Sequence, residues 1–185
     1  MAPTYSLRMT PRVKLHGSYN VTELGETGKY PLDVDDFTAF TDGTAANQAN
    51  RLYTASRTLT IASPTDLLDL SGSLVDIFGR TLTLDNIKAL YIFNQGIQDG
   101  DGTPVATSGQ RLWVGGASSN AWRGFFETQA DKVEVPSGGK LYREDPFEGW
   151  IVIPGVEDIL QIEYDGSGAS GGTLQYKIVI AGDEP

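Results

Sequence analysis

Residues 67–94 read LLDLSGSLVDIFGRTLTLDNIKALYIFN, and this stretch decides the fold class of the 185-residue chain. Residues 67–70 form a short apolar cluster of the length and composition typical of a strand. Residues 81–94 alternate apolar and polar side chains and have a polar break near Asp85, which is the pattern of two linked strands. Both ends of the stretch therefore predict β-structure, with a strand at the start and a β-hairpin at the end.

The middle of the stretch has a different spacing. Leu74, Val75, Ile77 and Phe78 are one, three and four residues apart, which places them on one side of a single helical turn. Gly79 follows and suits a left-handed cap. We therefore expect a one-turn plug that covers the end of a sheet and buries Leu74, Ile77 and Phe78. If these side chains were exposed in a single chain, the stretch would instead be a subunit contact.

Two serines in this stretch, Ser71 and Ser73, flank Gly72 and raise the question of a catalytic turn. A nucleophile elbow needs a Gly-x-Ser-x-Gly pattern with a base nearby, and LSGSL does not match it. The chain contains one histidine, His16, in the irregular N-terminal part. The sequence therefore predicts scaffold here, and no Ser-His-acid triad.

From residue 51 onward, apolar runs of four to eight residues alternate with glycine-bearing turns. No long segment has a sustained helical period, which favours an all-β fold: a β-sandwich or jelly roll with an extended N-terminal arm and at most one or two short helical turns. We divide the chain into an arm and irregular segment (1–50) and a β-domain (51–185). The predicted strands are Thr58–Ala62, Leu67–Leu70, Thr81–Leu84, Ile87–Asn94, Arg111–Val114, Lys132–Val135, Lys140–Arg143, Trp150–Ile153, Ile159–Tyr164 and Thr173–Ile180.

The first fifty residues look irregular. Residues 4–15 alternate like a strand, but Pro11 restricts them to a sheet edge or an extended arm. Residues 16–50 are rich in Gly, Asp, Thr and Asn and predict turns and loop, with a possible short helix at Ala45–Arg51. The glycine-rich segments 98–104 and 165–172 are interpreted as hairpin loops.

Charge is distributed unevenly along the chain, whose net charge is −10. Residues 61–185 hold eight Lys/Arg and eighteen Asp/Glu, whereas the first twenty-two residues hold three basic residues and no acid. An acidic body argues against nucleic-acid binding, and no run approaches the roughly 18 apolar residues of a membrane helix. The chain has no cysteine, so no disulfide or thiolate metal site is possible. The basic arm is either a solvated tail or a tether for an acidic partner.

Two groups of carboxylates are candidate sites. Asp99 and Asp101 lie on one tight loop, as in calcium sites, although a plain β-turn is the alternative and no cofactor is predicted. A second acidic group is interpreted either as a glycosidase or sugar site or as an exposed acidic turn. Its acids are Glu144, Asp145 and Glu148, beside the aromatic Phe147 and Trp150.

An aromatic group is the candidate subunit interface. It lies within fourteen residues of sequence and includes an arginine, a composition that is enriched at subunit contacts. Core packing is the alternative. Its members are Trp113, Trp122, Arg123, Phe125 and Phe126.

Five segments, in order, resemble a family of small tailed-phage virion proteins described as head decoration or cement-like. The resemblance covers roughly residues 40–182, although Ala45 stands where the family usually has Gly and QDGDGTP is longer than the usual turn. The segments are DGTAANQANRLYTASRTLTI, LDLSGSLVDIFG, IKALYIFN, LWVGGASSNAW and LQYKIVIAG.

The resemblance implies a non-enzymatic virion protein that is made in the host cytoplasm and binds the outer capsid surface. It also implies a homo-oligomer, which we expect to be a trimer, with the major capsid protein as partner. From charge and hydropathy, we expect neither nucleic acid nor membrane as a partner. The alternatives are a tail- or fibre-associated protein of host recognition that binds carbohydrate, and, last, a hydrolase. From its charge and alternation, we expect the arm to add a strand to the capsid protein. The arm residues are Tyr5, Leu7, Arg8, Met9, Arg12 and Lys14.

Overall fold

The computed structural model describes the backbone of residues 12–23, 26–98, 104–105, 110–165 and 173–184. Side chains are described for residues 38–97, 110–165 and 173–184. Within these ranges the chain contains strands and no helix, so the all-β prediction is confirmed. The strands are β1 (Arg12–Glu23), β2 (Glu26–Phe37), β3 (Arg51–Leu59), β4 (Thr65–Asp69), β5 (Ser71–Val75), β6 (Thr81–Thr83), β7 (Asn86–Gln98), β8 (Pro104–Val105), β9 (Arg111–Gly115), β10 (Lys132–Pro136), β11 (Lys140–Glu144), β12 (Trp150–Ile151), β13 (Ile159–Tyr164) and β14 (Thr173–Asp183).

Two antiparallel sheets carry most of these strands. One has the order β10-β9-β13-β4, and the other has the order β11-β7-β14-β3, with β8 and β12 also paired to β7. The hairpins β1–β2 and β5–β6 each form a two-stranded sheet. The segment 165–172 joins β13 to β14, which lie in different sheets, so its interpretation as a hairpin loop was wrong.

The two larger sheets contribute to one apolar core. Along β14, Leu174, Tyr176, Ile178 and Ile180 are all buried, as the period-2 alternation predicts. They join the same cluster as Leu160 and other residues of the four-stranded sheet. The description of this arrangement as a sandwich or jelly roll stays a prediction.

The stretch 67–94 differs from the sequence prediction in its middle. Strand β4 is present and Leu74 is 5% exposed, as expected, but residues 71–75 form strand β5 instead of a helical turn. The carboxylate of Asp76 accepts hydrogen bonds from the backbone N–H groups of Phe78 (2.8 Å) and Arg80 (2.9 Å). Such an Asx turn competes with helix formation, because the side chain satisfies backbone donors locally. Gly79 closes this turn at φ +81°.

The same turn presents two of the three expected core residues to solvent. Ile77 is 47% exposed and Phe78 is 38% exposed, so their predicted burial was wrong. The predicted hairpin over 81–94 was also wrong. Strand β6 pairs with β5, while β7 crosses to the six-stranded sheet. The alternation identified the strands but contained no information about their partners.

Residues 12–37 form a long hairpin where the composition of residues 16–50 predicted turns and loop. Its register pairs Lys14 with Asp35 and His16 with Asp33. The possible helix at 45–51 is absent, and strand β3 begins at Arg51, directly after the proposed boundary at residue 50.

Candidate functional site

One edge of the six-stranded sheet is built from two consecutive short strands, β11 and β12. Both pair with β7: Tyr142 lies opposite Tyr91, and Trp150 lies opposite Ile87. Among the described strands they have no neighbour on the other side, so this side of the sheet is an edge. The loop of residues 145–149 connects them and lies at the same edge.

A buried lysine holds the backbone of this loop through hydrogen bonds. The ammonium of Lys88 donates hydrogen bonds to the carbonyl oxygens of Phe147 (2.9 Å) and Glu148 (2.8 Å). It also lies 3.4 Å from Oδ2 of Asp183. From the loop itself, Oδ1 of Asp145 accepts the N–H groups of Phe147 and Glu148, both at 3.2 Å. Lys88 therefore holds the carbonyl groups of this loop, and Asp145 holds its N–H groups.

Apolar side chains of this loop and of the residues that follow it project into solvent. Phe147 is 66% exposed, Ile151 59% and Val156 54%. Residues 153–157 form a tight turn in which the N–H of Glu157 donates to the carbonyl of Ile153 at 2.8 Å. We define the edge surface as the exposed apolar residues of this segment with the carboxylates beside them: Glu144, Asp145, Phe147, Glu148, Ile151, Ile153 and Val156.

Within the described side chains, the carboxylates of the edge surface form hydrogen bonds but no ion pairs. Glu144 accepts hydrogen bonds from the hydroxyl groups of Thr38 and Tyr142. None of Glu144, Asp145 and Glu148 forms an ion pair with a cation among the side chains that the structure describes. The surface thus combines exposed apolar area with three carboxylates, and the adjoining strand β11 adds two exposed cations, Lys140 and Arg143.

An open cleft of about 510 Å³ adjoins the edge surface. The guanidinium of Arg123 forms an ion pair with Glu157 in this cleft, and that hydrogen bond raises the pKa of Arg123. Polar groups and aromatic rings together form the walls, as in many sites for polar ligands. The lining residues are Asn86, Arg123, Gly124, Phe126, Glu148, Gly149, Trp150, Ile151 and Glu157.

The aromatic group divides between the core and the cleft. Trp122 is 1% exposed and packs edge-to-face against Phe125 (ring centroids 5.6 Å apart) and Trp150 (6.4 Å). Its indole N–H donates to the carbonyl of Ile151 at 3.0 Å, so it positions β12 from the core side. Core packing, the alternative interpretation, therefore applies to Trp122 in this chain.

The remaining interface candidates are more accessible. Arg123 and Phe126 line the cleft, and Phe125 packs partly buried against the core. Trp113 on β9 is half-buried. It lies on the opposite face of the strand from the buried Leu112 and Val114, as the alternation predicted.

The other predicted site residues fall partly or wholly beyond the description. Tyr5, Leu7, Arg8 and Met9 lie outside the described residues, as do Asp99 and Asp101. Arg12 and Lys14 lie in β1, where only the backbone is described. In the part of the chain with described side chains, no group of three or more His, Cys, Asp or Glu residues is arranged to hold a metal ion. No helix long and apolar enough to cross a membrane occurs in the described ranges.

Lys88 is the functional residue that the sequence analysis missed. The signal was present: a single lysine stands in the run IKALYIF, whose neighbours Ile87, Ala89 and Leu90 are all buried. A charge in such a run must find partners, because an unpaired buried ammonium is strongly unfavourable. The sequence does not reveal those partners, since Asp183 and the carbonyls of residues 147 and 148 are distant along the chain.

Comparison of the chain with protein-family models, with curated proteins and with solved structures found no match. The functional argument therefore rests on the geometry of the edge surface and the cleft.

Proposed function

We propose that this protein is a non-enzymatic structural protein of a tailed-phage virion, a decoration protein that binds the outer capsid surface and stabilises the shell. Its partners in this role are the major capsid protein and further copies of itself, as a homotrimer. The observation that carries the proposal is the edge surface, in which Phe147 is exposed on a backbone held by Lys88 and Ile151 is exposed on a strand held by Trp122. Exposed apolar side chains on a preorganised backbone mark a contact for another macromolecule.

The virion setting is supported by the sequence resemblance, and the fold agrees with what that role needs. A cement protein acts by burying surface across neighbouring subunits, and many symmetric copies add avidity. A body made of antiparallel strands around one core provides the rigid platform for such contacts. The contact of the N-terminal arm with the capsid protein stays a prediction.

Rebinding to capsids tests the proposal. Purified capsids that lack the protein should bind it saturably, with a stoichiometry that matches the capsid symmetry, and cryo-EM should show density on the outer surface. Phe147→Ser should weaken this binding. Ile61→Ser, which changes another exposed residue (49%), should leave it unchanged. Density at the tail, or absence of saturable binding, would overturn the assignment to the capsid.

The cleft supports a second candidate function, carbohydrate binding by a tail- or fibre-associated protein of host recognition. Sugar sites combine aromatic rings with charged hydrogen-bonding groups, and the cleft brings Phe126 and Trp150 together with Arg123, Glu148 and Glu157. Glycans of the host surface should then shift the tryptophan fluorescence of the chain. Arg123→Ala should abolish the shift, and Arg111→Ala should retain it, because Arg111 is equally exposed and also ion-paired, with Glu134, but does not line the cleft. Capsid binding without any glycan response would favour the decoration role.

A further inference from the structure

A buried amine and a buried carboxylate lie side by side in the six-stranded sheet. The side-chain nitrogen of Lys88 lies 3.4 Å from Oδ2 of Asp183, and the two side chains are 3% and 4% exposed. We propose that these side chains condense to an amide, which joins β7 to β14 covalently, and that their ion pair is the reactant. The modification lies within one chain and does not depend on the proposed contact with a capsid.

A β-bulge places the two reacting groups next to each other. The register of β7 and β14 shifts between Ala181 and Gly182, and Lys88 is the extra residue of β7 at this shift. Bulges redirect a side chain and are frequent beside active sites. Asp183 follows the shift and lies opposite Asn86, two residues before the lysine. The backbone of the two strands therefore holds both groups in neighbouring positions.

The other contacts of the Lys88 nitrogen leave one side of it for Asp183. Nζ donates hydrogen bonds to the carbonyl oxygens of Phe147 (2.9 Å) and Glu148 (2.8 Å). A neutral amine has two N–H groups and one lone pair, so two donated bonds turn the lone pair toward the third side. The 3.4 Å to Oδ2 exceeds the roughly 2.7–2.9 Å of a charge-assisted hydrogen bond. This geometry suits an amine that acts as a nucleophile.

Burial favours the neutral groups that the condensation needs. Transfer of one proton from Nζ of Lys88 to Oδ2 of Asp183 turns the ion pair into an amine and a carboxylic acid, without any change in net charge. Buried charges have lost their hydration, so this transfer is less costly in the interior than at the surface.

The condensation requires no further reactant. The lone pair of Nζ attacks Cγ of Asp183, the Nζ–Cγ bond forms and the Cγ–Oδ2 bond breaks. Oδ2 leaves as water, with its own proton and one proton from Nζ, and the other N–H stays on the amide. The side-chain amide of Asn86 donates to Oδ1 of Asp183 at 3.0 Å, where negative charge develops during the attack. A donor in this position stabilises the transition state.

The product would be a closed covalent loop. An amide between residues 88 and 183 encloses strands β9, β10 and β13, which are three of the four strands of the other large sheet. Such a link stabilises a fold by restricting the unfolded chain.

Peptide mass spectrometry of the full-length wild-type chain tests the proposal. Digestion should release one branched peptide that joins the side chains of Lys88 and Asp183, with a mass about 18 Da below the sum of its two parts because one water is lost. Asn86→Ala should lower the linked fraction about tenfold or more. The exposed ion pair of Lys132 with Glu163 is the internal control and should stay unlinked, because water keeps both groups charged. Absence of the branched peptide, or equal linkage of the control pair, would overturn the proposal.

Intact mass distinguishes this loss of water from another one. Asp–Gly steps such as Asp42–Gly43 lose water to form a succinimide, which hydroxylamine opens, whereas an amide between side chains survives this treatment. After hydroxylamine, the wild type should keep a deficit of about 18 Da, and Lys88→Arg should lack it, because arginine keeps the cation without a primary amine. A deficit that hydroxylamine removes, or that Lys88→Arg retains, would overturn the proposal. The branched peptide of the wild type decides the question even where Lys88→Arg fails to fold.

Discussion

The ammonium nitrogen of Lys88 lies 3.4 Å from Oδ2 of Asp183, and both side chains are almost completely buried, at 3% and 4% exposure. The same ammonium holds the carbonyl groups of Phe147 and Glu148. One buried ion pair therefore connects the last strand of the sheet to the loop that presents the edge surface.

Lys88→Met should destabilise the protein by about 3–5 kcal/mol, because it leaves a buried carboxylate and two carbonyl groups without their cation. Chemical denaturation measures this change in the free energy of unfolding. Lys177→Met removes an exposed lysine from β14 and should cost less than about 0.5 kcal/mol. Equal losses in the two variants would show that the buried network does not stabilise the fold.

A hydrogen bond between Tyr176 and Asp66 connects the two larger sheets. The hydroxyl of Tyr176 on β14 donates to Oδ2 of Asp66 on β4 at 2.6 Å, and Arg57 lies 3.3 Å from the same oxygen. Tyr176→Phe should cost about 2 kcal/mol, since a hydrogen bond to a charged acceptor is lost. Denaturation at neutral pH checks this value, with Tyr91→Phe as a half-buried control. A loss no larger than that of the control would contradict the linking role.

The same tyrosine should affect stability at alkaline pH. Burial, followed by the hydrogen bond to the negative Asp66, raises the pKa of Tyr176. A raised pKa in the folded state gives stability that is fully present below the unfolded pKa of about 10 and is lost as the pH rises above it. The fall in unfolding free energy above pH 10 should therefore be shallower in Tyr176→Phe. An unchanged slope would contradict this assignment.

Acid stability should depend on Asp76, which holds the turn before β6. Burial raises the pKa of its carboxyl group, but the N–H groups of Arg80 and Phe78 and the Arg80 guanidinium stabilise the charged form, and the net pKa is lowered. A lowered folded pKa gives stability that is present above the unfolded value of about 3.9 and is lost as the pH falls through the folded value. Asp76→Asn should therefore lose less stability than the wild type between about pH 5 and 2. Asp85→Asn, at an exposed position, corrects for the charge removed.

Substitutions in residues 74–78 should separate the buried residue from the exposed one. Leu74→Ala should cost about 2–5 kcal/mol, because it opens a cavity in the core. Phe78→Ala should cost less than about 1 kcal/mol, since its ring is partly exposed and contacts the guanidinium of Arg80 at 5.2 Å. Thermal unfolding measures both. Similar losses would mean that Phe78 is buried, as its spacing had predicted.

Strands could be predicted wherever apolar and polar residues alternate between turns. The sequence did not reveal which strands pair with each other. Residues 173–180 were predicted correctly, because an apolar residue at every second position determines which face of the strand is buried. The β1–β2 hairpin was missed because Gly17 and Pro31 interrupt its pattern and suggested loop. The spacing of Ile77 and Phe78 predicted a helical turn that buries them. This was wrong, because the Asp76 side chain imposes a different turn that hydrophobic spacing does not encode.

The candidate site was predictable only in part. The sequence identified the acids and aromatics of residues 144–150, because their types are unusual together. The ion pair of Arg123 with Glu157 and the support by Lys88 depend on segments that meet only after folding. Such contacts between distant segments cannot be inferred from local composition.

Two glycines at the edge surface offer a matched test of how tightly its loop is packed. Gly149 (φ +77°) and Gly155 (φ +71°) have similar backbone conformations that disfavour other residues. A Cβ at Gly149 would lie 2.9 Å from the Lys88 side chain and 3.0 Å from the carbonyl of Ile87, whereas one at Gly155 meets nothing within 4 Å. Gly155→Ala should therefore cost only the backbone strain, about 1–2 kcal/mol.

Gly149→Ala should cost more than Gly155→Ala by at least about 1 kcal/mol, because its methyl group displaces Lys88 or the β7 backbone in addition to the strain. Denaturation of the two variants side by side measures the difference. Hydrogen exchange should also show faster exchange of the Phe147 and Glu148 amides in Gly149→Ala alone, since the backbone held by Lys88 is disturbed there. Equal costs and equal exchange would mean that the loop yields freely, and the edge surface would then not be preorganised for a partner.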